Sequence, residues 1–152
     1  GWSAIVDINL KGVFLCCKEA GKVMMKQGGG TIVNITSIAG RDGSPYMAPY
    51  GAAKAAVINF TRTLAMEWAK YNIRVNAVGP GPFMTHGATN VLWHTPELAE
   101  RRVSAVPMKR FGDPSEIVGA VIFLASDASS FMTGDTIYVD GGPPLRAGGY
   151  AE

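Results

Sequence analysis

An α/β protein built on a parallel sheet is predicted by three features of this 152-residue sequence. Helical and strand-like segments alternate three times along the chain. The strand-like segments are short, apolar and β-branched, the composition of strands covered on both faces. Length and composition, 47% hydrophobic and 17% charged, suit one globular domain without repeats or linkers.

The first helix is predicted over residues 3–27. Ile5, Ile8, Val13, Phe14, Cys17, Ala20, Val23 and Met24 recur at near-helical spacing, and "GGG" stops the pattern. "TIVNITS" (31–37) is a β-branched run and reads as a buried strand. After the loop "IAGRDGSPYMAP", a second helix runs from about Tyr50 to Lys70, with Ala53, Val57, Phe60, Leu64 and Trp68 on one stripe. "NIRVNAVGP" (72–80) is the next strand, ended by Gly and Pro. Residues 81–107 are irregular except for a short helix after Thr95-Pro96, where Thr caps and Pro takes the first turn. Asp113-Pro114-Ser115-Glu116 is a capping box that starts a helix reaching about Ser126. "DTIYVDGG" is the last strand.

Three strands are half of a doubly wound nucleotide-binding sheet, which is assembled from two βαβαβ units. The fold expected is therefore the second half of a Rossmann-like parallel sheet, with residues 1–152 as one partial domain. The opening "GWSAIVDINLKGVFLCC" enters a helical pattern at once and without Met, so the N-terminus reads as cut and the C-terminus as natural.

Several function classes recede on composition. A formal charge of +2 with dispersed basic residues gives no electrostatic basis for nucleic-acid binding. The longest apolar run, "IVGAVIFLA" (117–125), is too short to span a bilayer, and no signal or lipidation motif is visible, so a cytoplasmic protein is expected. Cys16 and Cys17 stand alone without metal-ligand spacing and read as two buried, reduced thiols. His86 and His94 have no partner at ligand spacing, so no metal site is expected. His86 and His94 read as parts of a lid, where Trp93, Leu92 and Val91 fit substrate-pocket lining and lid packing equally well; Asn34 and Asn76 read as structural hydrogen-bonders, Met24 and Met25 as helix packing, and Arg101 and Arg102 as a solvated helix face rather than a contact for an acidic carrier.

The candidate chemistry lies in "YGAAK". Tyr50 and Lys54 are one turn apart on a helix and share a face. A phenol exchanges protons poorly at neutral pH, and a nearby ammonium favours the phenolate, which makes the pair a candidate general acid/base. By itself Tyr-x-x-x-Lys is a weak motif in a chain with five tyrosines. Its company strengthens it. Ser37 lies at the carboxyl end of a strand, where open α/β sheets bind ligands, and "GPGPFMT" follows the carboxyl end of the next. The glycines there are expected to let backbone approach a ligand.

In order and spacing, "NITSIAG", "YGAAK", "RVNAVGPGPFMT" and "TGDTIYVDGG" resemble the short-chain dehydrogenase/reductase family, over nearly the whole chain from "DINLKGVF" to "VDGG". The branch most similar is that of the 3-oxoacyl-carrier-protein reductases. The resemblance implies an NAD- or NADP-dependent enzyme that interconverts a carbonyl and a secondary alcohol of a small molecule. It implies Tyr50 as acid/base, Ser37 orienting the substrate oxygen, and Lys54 lowering the Tyr50 pKa and holding the nicotinamide ribose. Asn9, in "DINLKGVF", would position a water feeding a proton relay through Lys54. Pro80, Gly81, Phe83 and Thr85 would lie beside the nicotinamide, Phe83 acting through its backbone. Phe83 stands in place of the usual aliphatic residue, and Gly79 in place of a small side chain. The resemblance also implies a homodimer or homotetramer formed through the two long helices. No glycine-rich turn leads from a strand into a helix within these residues, so the pyrophosphate cradle is not expected in them. Two other readings are a sugar-nucleotide epimerase or dehydratase, which shares Tyr-x-x-x-Lys, and a non-catalytic fragment acting by association alone.

Overall fold

A computed structural model describes residues 1–143, the side chains of 89 and 90 apart. The three predicted strands form one parallel sheet, in the order β1 (Gly30–Ile35), β2 (Ile73–Pro80), β3 (Thr136–Val139). The central strand alone is fully covered: Ile73, Val75, Ala77 and Val78 are each 1% exposed or less. The outer strands are half-buried and Ile35 is exposed, so burial on both faces holds for β2 and not for its neighbours.

The first helix is broken in register. α1 (Trp2–Val6) passes into a π-helical turn (Asp7–Lys11) and then α2 (Gly12–Gln27). Gly28, in the left-handed conformation that glycine adopts without penalty, ends α2. Of the predicted stripe, Cys17 is buried, and Val13 and Met24 pack against the core with Met25. Ile8, Phe14 and Val23 are instead exposed. Gly21 is buried because the Trp68 indole occupies the space a Cβ would need. Cys16 is exposed, unlike the buried pair expected; successive helical positions point about 100° apart, so only one of two adjacent residues faces the core.

α3 (Ala48–Trp68) starts two residues before Tyr50, with Pro49 in its first turn. Its buried residues Ala53, Val57, Leu64 and Ala65 lie over β2. After β2 come α4 (His86–Val91), which the sequence did not reveal, and α5 (Pro96–Ser104), capped by Thr95 as expected. The Asp113–Glu116 capping box forms, but it opens a 3₁₀ turn (Pro114–Ile117) before α6 (Val118–Ala125). Asn34 and Asn76 bridge elements as predicted. Asn34 Nδ2 donates to Thr61 Oγ1 on α3, while Asn76 donates to the Met132 carbonyl and accepts from Asp135 N–H.

Candidate active site

Parallel pairing brings the carboxyl ends of β1 and β2 level, with Ile35 opposite Val78. Beyond β1 the chain runs through Thr36 and Ser37 into a 3₁₀ turn (Ile38–Gly40). Ser37 caps this turn from an extended backbone, and its Oγ accepts from Ala39 N–H at 3.1 Å. That contact fixes the oxygen and leaves the hydroxyl proton to donate elsewhere. The turn sits directly on α3. A Cβ at Gly40 would fall 2.6 Å from the Lys54 carbonyl carbon, so only glycine allows backbone to lie on backbone here. Thr36 Oγ1 donates to the Lys54 carbonyl at 2.9 Å and ties strand to helix at the same level.

Lys54 is 9% exposed. Its Nζ donates to the Ile35 carbonyl at 3.0 Å and lies 5.6 Å from the centre of the Tyr50 ring. Burial pushes its pKa below the ordinary lysine value, and no described acid forms an ion pair with it. Tyr50 is half-buried in the first turn of α3, and its hydroxyl bonds to no described residue. Ser37, Tyr50 and Lys54 therefore come together at one end of the sheet.

Asn9 sits in the middle of the π turn, which packs against α3. Its Nδ2 donates to the Ile5 carbonyl at 3.0 Å, one turn back, rather than to Lys54. Pro80 ends β2 and Gly81 follows it. A Cβ on Gly81 would fall 2.5 Å from the Cα of Asp140, so this glycine allows the backbone after β2 to lie close against the end of β3. Phe83 pairs its backbone with Gly112, and its ring covers that glycine. Thr85 caps α4 by accepting from Ala88 N–H. A cavity of about 80 Å³ opens here between Pro82, Phe83, Gly112, Val139 and Asp140. A wider groove of about 610 Å³ lies at the opposite, amino ends of the strands, away from Tyr50 and Lys54.

Sequence reasoning missed the residues that hold the three in place. Thr36 and Gly40 carried a signal, a hydroxyl beside Ser37 and a glycine three residues after it. Arg41 and Asp140 carried none. Arg41 donates from Nε to Asp42 and from Nη2 to Asp140, each at 3.0 Å, and its guanidinium lies 4.3 Å from the centre of the Tyr138 ring. It thereby fastens the loop before Tyr50 to the end of β3.

The sequence profile of the family described as "Enoyl-(Acyl carrier protein) reductase" matches residues 1–143. A 3-oxoacyl-[acyl-carrier-protein] reductase of Synechocystis is 47% identical over 142 residues, 93% of this chain and 55% of the relative. Among solved structures, a gluconate 5-dehydrogenase from Burkholderia cenocepacia in complex with NADP and tartrate is similar, at 38% identity and a TM-score of 0.89. The match takes in 93% of this chain and 55% of that one. An NAD+-bound xylitol dehydrogenase is 39% identical with a TM-score of 0.85, over 93% of this chain and 59% of that one. The chain thus spans little more than half the length of the proteins it resembles.

Proposed function

The chain belongs to the short-chain dehydrogenase/reductase family, and from that membership we propose that the protein is an NAD(P)-dependent oxidoreductase interconverting a carbonyl and a secondary alcohol. The observation that carries this reading is the Lys54 ammonium. It is buried, unpaired by any described acid, and placed beside Tyr50 at the sheet end that carries Ser37. A lysine in that position is costly unless something uses it.

The described residues suit a nicotinamide cofactor. An ammonium has three donors, and the Ile35 carbonyl takes one, which leaves two buried donors of the kind ribose hydroxyls accept. Pro80, Gly81, Phe83 and Thr85 would flank it in the segment after β2. When bound, the nicotinamide supplies or accepts a hydride at the carbonyl carbon. Ser37 donates its free hydroxyl proton to the substrate oxygen and fixes its orientation. Tyr50 gives that oxygen a proton in reduction and takes it back in oxidation. The Lys54 ammonium stabilises the phenolate left behind. Asn9, in its π turn against α3, would position a water on the route that returns a proton to Lys54.

The 3-oxoacyl-carrier-protein reductases are the nearest guide to the direction of the reaction, and a homodimer or homotetramer through α2 and α3 is proposed with them. The test is a panel of ketones and secondary alcohols with NADH, NADPH and their oxidised forms, run on the full-length protein and on Tyr50→Phe. Turnover should appear in the wild type and fall by several orders of magnitude in the variant, with cofactor affinity nearly unchanged. Comparable kcat in the two proteins would remove Tyr50 from the mechanism. Inactivity across the whole panel would favour a non-catalytic role.

A further inference from the structure

The segment between β2 and α6 holds a charged side chain that the sequence placed on a solvated face. Arg102, in the last turn of α5, is half-buried where its neighbour Arg101 is exposed. Its guanidinium lies 5.8 Å from the centre of the Trp93 ring, and that indole also packs against Phe111, with ring centres 5.5 Å apart. Two donors are stranded in this cluster. Trp93 Nε1 and Arg102 Nε are both buried, and neither has a hydrogen-bond partner among the described residues. Arg102 forms no ion pair with a described residue either.

Buried polar groups are nearly always hydrogen-bonded, so two buried N–H donors without an acceptor are costly. Here the two unmet needs have the same sign: two N–H donors, one of them cationic, and no acceptor. We infer that Trp93 and Arg102 form an oxyanion subsite that takes the carboxylate or phosphoryl group of a small-molecule ligand. One anionic group accepting at about 2.9 Å on each of two oxygens can bridge donors several ångströms apart. Arginine in particular offers its Nε–H in a planar fork that matches such groups. Desolvation works against the charged form of Arg102, and the opposite charge of a bound anion would offset that cost.

The subsite stands at the same end of the sheet as Ser37 and Tyr50. Phe111 directly precedes Gly112, whose backbone pairs with Phe83 in the segment leaving β2. A substrate reduced at Tyr50 would on this account carry its oxyanion toward α5. That last step rests on the proposed reaction, whereas anion binding itself does not.

The test uses protein labelled with 5-fluorotryptophan, titrated with tartrate and separately with inorganic phosphate, without cofactor or carbonyl. The fluorine signal of Trp93 is identified by its loss in Trp93→Phe. It should shift saturably with at least one anion at millimolar concentration, while those of Trp2 and Trp68 stay still. Arg102→Gln should weaken binding at least tenfold and Arg101→Gln should leave it unchanged. A response to tartrate alone identifies a carboxylate ligand, and a response to phosphate alone a phosphoryl one. The subsite is disproved if neither anion shifts the Trp93 signal saturably, or if Arg101→Gln weakens binding as much as Arg102→Gln. Turnover of neutral carbonyls with no anion response would disprove the subsite and leave the oxidoreductase reading standing.

Discussion

Lys54 shows how much of a site one side chain can organise. Its carbonyl accepts from Thr36, its ammonium donates to Ile35, and that same Nζ lies 5.6 Å from the centre of the Tyr50 ring. Because burial holds its pKa below the ordinary lysine value, the ammonium loses its charge at a lower pH than an exposed lysine would. Activity that needs the charge is present below that pKa and declines as pH rises through it. Lys54→Arg keeps the charge to far higher pH but sets a broad planar group where a compact one fitted. The expected result is a large drop in kcat together with an alkaline limb displaced upward. A pH–rate profile unchanged in shape would contradict the coupling. The Tyr50–Lys54 pair was legible in the sequence because helical spacing alone makes the two neighbours. The Arg41–Asp140 contact was not, since 99 residues separate its partners and only the folded sheet brings them together. Arg102 failed to declare itself for a related reason: its burial depends on Trp93, which reaches it from outside α5.

The alanine and glycine crowding of "YGAAK" and "IAG" is explained by how the 3₁₀ turn sits on α3. Ala39 and Ala53 are buried in that contact zone, and a Cβ on Gly51 would fall 3.0 Å from the Ala39 carbonyl oxygen. Gly40→Ala should force turn and helix apart and cost about 1–3 kcal/mol, the range of overpacked cores. Thermal melts should show a clearly lower midpoint, and kcat should fall because Ser37 moves with the turn. Gly43→Ala, with open space around it, should change neither. If both variants melt like the wild type, the close approach is not a constraint. A second junction is electrostatic. Arg110 pairs with both Glu116 carboxylate oxygens, and Asp113 N–H also donates to that carboxylate. The Arg110 guanidinium first, and then the Asp113 N–H, pull the Glu116 carboxyl down to about 2 from an ordinary 4.5. The stabilisation is therefore complete above the unfolded value and lost as pH falls through about 2. Glu116→Gln should be less stable than wild type near neutral pH, and urea titrations should show the gap closing as pH falls toward 2. A gap independent of pH would mean the charge does not matter. Helix and strand identities were readable because period and composition set them. The π turn was not, because the step in register at Asp7–Lys11 leaves the apolar pattern of the sequence almost intact.

Taken as one object, the described fold gathers Ser37, Tyr50 and Lys54 at one end of a sheet that is narrow for the proposed chemistry. β1 pairs with β2 on one side and, among the described residues, with no strand on the other. Beside that edge Ile35 is exposed, and α6, which packs against β1, turns Val118, Ile122 and Phe123 outward. Unpaired edges flanked by apolar surface invite association. The long helices add Ile8, Val23 and Met66, each at least 60% exposed, on faces suited to a partner subunit. The family relatives are nearly twice as long as the stretch they share with this chain. No strand-to-helix glycine turn that could hold a pyrophosphate on backbone N–H groups occurs in these residues, which leaves Lys54 and the segment after β2 as the proposed cofactor contacts. Those contacts would reach the nicotinamide end alone. We therefore expect residues 1–152, purified by themselves, to associate in solution and to bind neither NADH nor NADPH in the micromolar range. Titration followed by nicotinamide fluorescence decides the second point, with sedimentation velocity on the same sample for the first. Saturable micromolar binding by a monodisperse monomer would show that the catalytic end of the sheet holds the cofactor on its own.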